Sequence, residues 1–310
     1  MIVRSKEGSK AGRILAHDSL LLVTALIWGL AFVAQRKGME SVGPFTYNAV
    51  RFALGALCLL PVMAVRRRAA PRQTPAGGIP AGPAGLLAGA VLTVAASLQQ
   101  VGIVTTTAGK AGFITGLYVI LVPLSGLLWG QRAGPGAWGG ALLSVIGLSL
   151  LSLTDSLSMA RGDLIVLVGA FFWTAHVQVV GWLSPRSDPL ALACIQFAVC
   201  AVLSAVIAVG WEAPRAAGIL AAAGPILYGG VLSVGVTYTL QVVAQGSAPP
   251  AHAAILMSLE SVFAAVGGGL LLGERLGARQ TAGCIVMFAG MLAAQAPLFL
   301  SSLAARRSRR

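Results

Sequence analysis

The stretch Thr106–Leu124, TTAGKAGFITGLYVILVPL, decides the fold class, because Lys110 is its only charged side chain. An apolar run of about 20 residues is long enough to cross the hydrocarbon core of a bilayer as an α-helix. The rest of the chain has the same character, with 57% hydrophobic residues, 10% charged residues and a mean hydropathy of +0.85. Such a composition cannot cover a water-soluble surface. Because helices satisfy their own backbone hydrogen bonds in lipid, we predict an all-α integral membrane protein.

Apolar runs bounded by charged residues, Pro or Gly predict ten transmembrane helices. These helices leave no connection long enough to form a separate soluble domain, so the function is predicted to lie within the membrane. The predicted spans cover residues 19–36, 45–65, 83–103, 107–129, 136–154, 162–183, 189–210, 218–245, 250–272 and 279–300.

The net charge of +13 follows the predicted topology. With the N-terminus in the cytoplasm, the cytoplasmic segments hold fourteen Lys and Arg residues and the outer loops hold six. This asymmetry is the positive-inside pattern, which predicts a multi-pass protein of the plasma (inner) membrane with both termini in the cytoplasm. The same distribution argues against a nucleic-acid partner. The predicted partners are a small-molecule substrate and the lipid bilayer, and the oligomeric state stays open, with a monomer compatible with the sequence.

Two halves of the chain repeat each other. A shift of 145 residues places Trp28 on Trp173 and Pro44 on Pro189, and a shift of 142 residues places Gln99 on Gln241. Each half contains five predicted spans, and because five is odd, the second half must enter the membrane from the opposite side. The sequence therefore predicts two inverted five-helix repeats. The predicted division is a basic tail at 1–17, a first repeat at 18–155, a second repeat at 162–300 and a basic tail at 301–310.

Several motifs occur in a characteristic order. They are LIWG at 26–29, Arg51-Phe52, AGKAGF at 108–113, Leu259-Glu260 and LGERL at 272–276. By these motifs the chain resembles permeases of the drug/metabolite transporter superfamily with two EamA-type repeats, over about residues 18–300. The resemblance implies a secondary transporter of small metabolites, with a cavity lined by helices 1, 3, 4, 6, 8 and 9. Two departures are Ser261, where the family often has Pro, and Gln131, where the second repeat has Glu274.

Charged groups inside predicted spans are the first candidates for a site, because each costs roughly 2.5–3.5 kcal/mol at the bilayer centre. Among nine acidic residues, only Glu260 is predicted to lie deep in a span. It lies eight residues beyond His252, roughly 12 Å further along the helix and close to the midplane. Glu260 is thus the proton-coupling candidate, with a structural pair to Arg51 as the alternative. Arg51 is predicted either to bind a substrate carboxylate or to brace neighbouring helices.

Lys110 and His252 occupy matching positions near the starts of helices 4 and 9. Free backbone N–H groups beside a cation form an anion site, which predicts a carboxylate or phosphate ligand. In the inverted arrangement Lys110 lies toward the outer mouth and His252 toward the inner one. Two alternatives for Lys110 are snorkelling to the headgroups and a structural ion pair. For His252 the alternative is an interfacial residue without special function.

Aromatic and amide side chains are the remaining candidates for a cavity lining. His176 is alternatively a hydrogen-bonded core histidine, and the amides alternatively hold helices together. The predicted lining residues are Trp28, Gln99, Tyr118, Trp173, His176, Tyr238 and Gln241.

The function predicted from these features is alternating-access transport of a small organic metabolite such as an amino acid, in the direction of export. No Walker loop, metal cluster or nucleophile triad is found, so we predict no enzyme activity, no metal and no cofactor. The alternatives are a multidrug efflux permease and, at lower rank, a channel or lipid scramblase.

Overall fold

The computed structural model describes residues 3–69, 78–129, 134–153, 159–237 and 250–307, with most side chains from Ser19 onward. This part of the chain is helical, with one isolated bridge between Leu153 and Met159 and no strand among the described residues. The helices are α1 (Val3–Gly38), α2 (Pro44–Ala69), α3 (Ala81–Ile103), α4 (Ala108–Gly116), α5 (Tyr118–Ser125), α6 (Pro135–Ser152), α7 (Arg161–Leu183), α8 (Pro189–Trp211), α9 (Ala216–Ala221), α10 (Ala223–Leu227), α11 (Pro250–Leu272) and α12 (Ala278–Arg307). The predicted all-α class is confirmed.

Within the described residues, six helical segments are long and apolar enough to cross a membrane, and three further apolar helices are shorter. Their outward faces carry large apolar side chains, such as Leu128, Trp211 and Leu270, which are at least 80% exposed. A water-soluble protein would not leave so many large apolar side chains uncovered, whereas lipid tails solvate them well. The chain is therefore a multi-pass membrane protein.

The helix boundaries agree with the predicted spans in most places and differ in four, one of which is the end of α12 at Arg307 instead of residue 300. Helix α1 begins at Val3 instead of residue 19. The span predicted at 107–129 is interrupted at Leu117 and ends in a 3₁₀ turn, Gly126–Trp129. The span predicted at 218–245 comprises α9, α10 and a π-helical segment, Tyr228–Val236, and its last part lies outside the described residues. Interruptions of this kind are not visible in a hydropathy pattern, because they leave the apolar composition unchanged.

Long helix pairs join the first half of the described chain, up to residue 153, to the second half, from residue 159. Helix α6 packs on α12, α1 on α11, α2 on α8, and α3 on both α7 and α8. Helix α4 packs on α11 and α7, while α2 also packs on the π-helical segment. The core is thus built mainly from contacts between the halves.

Small residues allow one of these pairs, α4 and α11, to approach closely. A Cβ atom at Gly112 would overlap the Ala264 side chain, and a Cβ at Gly109 would lie 3.2 Å from the Ala265 Cα. Rows of small residues let helix backbones come together in a membrane, where there is no hydrophobic drive between helices. The AGKAGF motif thus places the start of α4 directly against α11.

The two ends of the bundle are defined by helix α2. Its first turn meets Glu212, whereas Arg66 in its last turns meets Asp188. Helix α8 lies between its cap residues Asp188 and Glu212. Helix α3 is parallel to it, because Gly85 packs near Leu192 and Gly89 near Val199. We call the end that contains Asp163, Glu212 and Glu274 the carboxylate end, and the end that contains Arg66, Arg186 and Asp188 the arginine end.

Candidate functional site

The start of α4, at the carboxylate end, contains Lys110 and three polar contacts. The Thr107 side chain caps the helix by accepting a hydrogen bond of 3.2 Å from the Lys110 backbone N–H. Glu274 accepts hydrogen bonds from the backbone N–H groups of Ala108, at 2.7 Å, and Gly109, at 3.1 Å. The donors that a helix start leaves unsatisfied are therefore bound to side chains.

Lys110 forms an ion pair. Its Nζ lies 2.7 Å from Oδ2 of Asp163, and the two side chains are 14% and 1% exposed. The second Asp163 oxygen accepts a hydrogen bond from Thr106 Oγ1. Of the three roles considered for Lys110, the described geometry corresponds to the structural ion pair. The backbone N–H groups and the ammonium group at the start of α4, which the sequence analysis predicted to bind an anion, are bound here by Glu274 and Asp163 of this same chain.

Glu274 reaches α4 because of Gly273. Gly273 has a φ of +65°, a left-handed conformation that costs other residues energy and that commonly ends helices. The chain reverses there, and the Glu274 N–H donates a hydrogen bond of 3.1 Å to the Gly268 carbonyl. This turn folds the carboxylate back over the end of α11 and onto α4. The LGERL motif is thus a helix end that supplies a cap to a different helix.

A chain of buried amides connects α1, α3 and α7. Trp173 Nε1 donates to Gln99 Oε1 at 2.7 Å, and Gln99 Nε2 donates to Gln35 Oε1 at 2.8 Å. Gln100 Nε2 lies 3.4 Å from the Gln35 carbonyl oxygen, while its own Oε1 is buried without a hydrogen-bond partner among the described residues. The structure thus brings together two predicted lining residues, Gln99 and Trp173, and adds Gln35, which the sequence analysis did not select.

His176 continues this polar row along α7. Its Nε2 lies 3.0 Å from Gln196 Oε1, and its ring stands edge-on to Trp173 with 5.7 Å between the ring centroids. The histidine is buried. It has the hydrogen-bonded core environment that the sequence analysis gave as the alternative to a cavity-lining role.

Trp28 and Tyr228 link α1 to the π-helical segment by two reciprocal hydrogen bonds. Trp28 Nε1 donates to the Ser233 carbonyl at 3.1 Å, and the Tyr228 hydroxyl donates to the Ile27 carbonyl at 3.0 Å. Long π-helical segments are rare and are often found at functional sites. Tyr118, the first residue of α5, is half-buried.

Arg51 contacts three neighbours in its own helix, α2. Its Nε donates to Asn48 Oδ1 at 3.0 Å, and its guanidinium lies over the rings of Tyr47, at 5.5 Å, and Phe52, at 4.7 Å. These three partners all lie in α2, so the two predicted roles of Arg51, binding of a substrate carboxylate and bracing of neighbouring helices, stay predictions.

Glu260 is buried, as expected from its sequence position. Its backbone carbonyl lies against Gly29 of α1, and the neighbouring Ser261 hydroxyl donates to the Gly112 carbonyl at 3.0 Å. Among the described residues, no group donates a hydrogen bond to the Glu260 carboxylate. An unpaired buried carboxylate is costly, which marks Glu260 as a functional candidate.

Three predicted lining residues cannot be placed. Tyr238 and Gln241 lie outside the described residues, and the side chain of His252, in the first turn of α11, also lies outside them. A crevice of about 330 Å³ is present between α1, α10 and α11, with Val33, Tyr228 and Leu272 in its lining. None of the predicted site residues lines this crevice. Within the described residues, no three His, Cys, Asp or Glu side chains could hold a metal ion together.

Two acids with clear structural roles were missed by sequence reasoning. Asp163 stands in the first turn of α7 and Glu212 directly follows α8, so both were grouped with residues at span ends. The sequence shows Asp163 in a first turn, where the helix dipole favours an acid, but its pairing with Lys110 depends on the packing of α7 on α4. Nothing in the sequence indicates that Asp163 is fully buried.

Comparisons with known proteins agree with these features. The sequence profile described as the EamA-like transporter family matches residues 16–153 and again residues 160–294. An uncharacterized transporter of Archaeoglobus fulgidus is 30% identical over 278 residues, which is 88% of this chain and 84% of that protein. An uncharacterized protein of Pseudomonas aeruginosa is 28% identical over 262 residues, 83% of this chain and 86% of that protein. A solved crystal structure is similar in fold, with a TM-score of 0.64 at 19% identity over 95% of this chain and 99% of the other.

Proposed function

Because this chain belongs to the EamA-like transporter family, we propose that it is a secondary transporter that exports a small organic metabolite, such as an amino acid, across the plasma membrane by alternating access. The observation that carries the proposal is the packing between the two halves. Helix α1 of the first half packs on α11 of the second half, and its equivalent in the second half, α7, packs on α4 and α5 of the first. In the same way, α3 packs on α8, and the equivalent of α3, the π-helical segment, packs on α2.

This correspondence supports ten spans arranged as two inverted five-helix repeats. In each of the pairs α2–α8, α4–α11 and α6–α12, two helices at equivalent positions of the two halves pack on each other. A two-fold axis in the membrane plane that relates the halves would require this arrangement. Helix directions agree, since Gly102 packs on Val166 and Gly169 on Leu98, which makes α3 and α7 antiparallel. The positive-inside pattern then assigns the carboxylate end to the outside and both termini to the cytoplasm.

The substrate site that we propose lies around Gln99 and Trp173. Their hydrogen bonds join helices from both halves, and Gln100 adds an unsatisfied buried acceptor to the same part of α3. Buried amides in this arrangement can exchange hydrogen bonds with a polar substrate at modest cost. Lys110 is bound to Asp163 in this conformation, so we assign it to the conformational cycle instead of to the substrate.

Glu260 is the proposed coupling residue. It is the buried carboxylate without a donor among the described residues, and it lies on α11, which contacts both α1 and α4. A carboxylate that gains a proton at one side and loses it at the other can drive substrate exchange. We expect Glu260→Gln to remove the dependence of transport on a pH gradient, measured in proteoliposomes with and without the gradient. Asp188→Asn is the matched control, and full retention of the dependence in Glu260→Gln would exclude this role.

Counterflow is the experiment that tests the function itself. Metabolomics of the medium from cells that overproduce the protein supplies the candidate substrate. Purified protein is then reconstituted, and uptake of labelled substrate is compared between preloaded and empty vesicles. A carrier is accelerated by preloading, whereas a channel or scramblase is not. Acceleration by many unrelated cations would favour the multidrug alternative over a metabolite exporter.

A further inference from the structure

We propose that Asp163, Glu212 and Glu274 form a latch that holds the carboxylate end of the bundle closed. This inference rests on the proposed transport function, because it assigns these residues to one step of an alternating-access cycle. Each of the three carboxylates comes from the second half of the chain, and each binds a residue of the first half.

Glu274 and Glu212 bind helix starts in the same manner. Glu274 binds the first two N–H groups of α4, and Glu212 binds the N–H groups of Phe45, at 2.8 Å, and Thr46, at 2.7 Å, at the start of α2. Glu212 also accepts a hydrogen bond of 2.7 Å from the Thr46 hydroxyl. A carboxylate on unsatisfied N–H groups is favoured both by charge-assisted hydrogen bonds and by the positive end of the helix dipole.

Glycines make room for these contacts. A Cβ atom at Gly43 would collide with the Glu212 carboxylate, and one at Gly268 would collide with that of Glu274. A residue larger than glycine at position 43 or 268 would therefore block the observed position of the neighbouring carboxylate.

Asp163 closes the third contact. It binds the Lys110 ammonium group at 2.7 Å and the Thr106 hydroxyl, and its side chain is almost completely buried. A buried ion pair is costly to break, since either charge would then lack its partner in a poorly solvated position. Opening of the carboxylate end must separate these pairs or expose them to water.

Among the described residues, the arginine end has no comparable set of buried or backbone-bound carboxylates that join the halves. At the positions equivalent by the repeat, the residues are Asp18 for Asp163, Arg67 for Glu212 and Gln131 for Glu274. Among the described residues, the ion pair at the arginine end is Arg66–Asp188, whose side chains are 53% and 28% exposed. Within the part of the chain that the structure describes, the interactions that close the two ends are thus unequal, and they favour a resting state closed at the carboxylate end.

The test measures the distance across the carboxylate end. Nitroxide labels are attached at Val104, before α4, and Ala278, at the start of α12, in a full-length chain whose four cysteines are replaced by Ala. Both positions are exposed and lie outside the latch. Double electron–electron resonance in liposomes should show a longer-distance population that rises at least threefold in Glu274→Gln and Asp163→Asn. The control Asp188→Asn removes a capping carboxylate from the arginine end and should leave the distances unchanged.

Two further measurements keep the result interpretable. Glu274→Asp retains the charge and should return much of the population to the short distance, whereas a misfolded protein would not be rescued. Unchanged distances in both latch variants, or an equal shift in Asp188→Asn, would overturn the latch. Counterflow in the same samples is a separate readout: shifted distances without counterflow in the unmutated chain would leave the latch standing and refute the transport function.

Discussion

The two ends of the bundle use carboxylates differently. At the carboxylate end, Asp163, Glu212 and Glu274 bridge the two halves of the chain. At the arginine end, Asp188 caps its own helix through Leu190 N–H and forms an exposed pair with Arg66. Both ends thus have an acid that joins the halves, but the Asp163 pair is buried and the Asp188 pair is exposed, so water screens the latter and it constrains the halves less. Among the described residues, the two ends therefore differ in how firmly they are held together.

The largest loss of stability is expected from Gly112→Leu, which disturbs the packing of α4 on α11 at the carboxylate end. Overpacking by a methylene or two costs about 1–3 kcal/mol. Here all the side-chain carbons of Leu must fit where a Cβ atom alone would overlap the Ala264 Cβ on α11, so we expect a loss above the about 3–5 kcal/mol of a broken buried ion pair. We expect the thermal unfolding midpoint in detergent to fall by at least about 5 °C. Gly139→Leu is the control, because nothing lies within 4 Å of a Cβ atom there. Equal midpoints in both variants would contradict the role assigned to the α4–α11 contact.

Lys110→Met is expected to have the next largest effect. It leaves the buried Asp163 carboxylate without its cation, and removal of one partner from a buried pair costs about 3–5 kcal/mol. The double variant Lys110→Met/Asp163→Asn removes both charges and should recover most of that loss. Thermal unfolding of the two single variants and the double variant measures the coupling. Additive losses would show that the two residues act independently.

The parts of the fold that were predictable from sequence depend on composition and local signals. Apolar length predicted the spans, and Pro189 and Gly273 marked a helix start and a helix end that the structure contains. The structure brings Gln99 and Trp173 into hydrogen-bond contact, while their role as lining residues stays a prediction. Each of these inferences needs only the local sequence or the repeat.

The remaining features depend on which helices meet, and a single sequence does not state this. In the sequence, Asp163 is only an acid at a favourable position in the first turn of a helix. It is the partner of Lys110 because α7 packs on α4. Gln35 stands near the end of its predicted span, where a polar residue is unremarkable, yet it accepts a hydrogen bond from Gln99. The interruption at Leu117 also escapes prediction, because it changes the backbone without changing the hydropathy.

The smallest effect is expected at the arginine end, from Arg66→Ala. Exposed ion pairs contribute about 0–1 kcal/mol, because water and salt screen them and long side chains lose entropy when they pair. Asp188 keeps its capping bonds to Leu190 N–H, at 3.0 Å, and Ala191 N–H, at 3.2 Å, in this variant. We therefore expect the unfolding midpoint to change little. We also expect the midpoint to depend less on salt concentration than in the unmutated chain.

Asp188→Ala separates the cap from the ion pair at the same position. It removes the capping bonds as well as the pair, and loss of a cap costs about 1 kcal/mol, so it should destabilise more than Arg66→Ala. Both losses should stay below that of Lys110→Met, since burial is what makes the Lys110–Asp163 pair costly to break. If Arg66→Ala proved as damaging as Lys110→Met, burial would not distinguish the ends, and an asymmetric resting state would lose its physical basis.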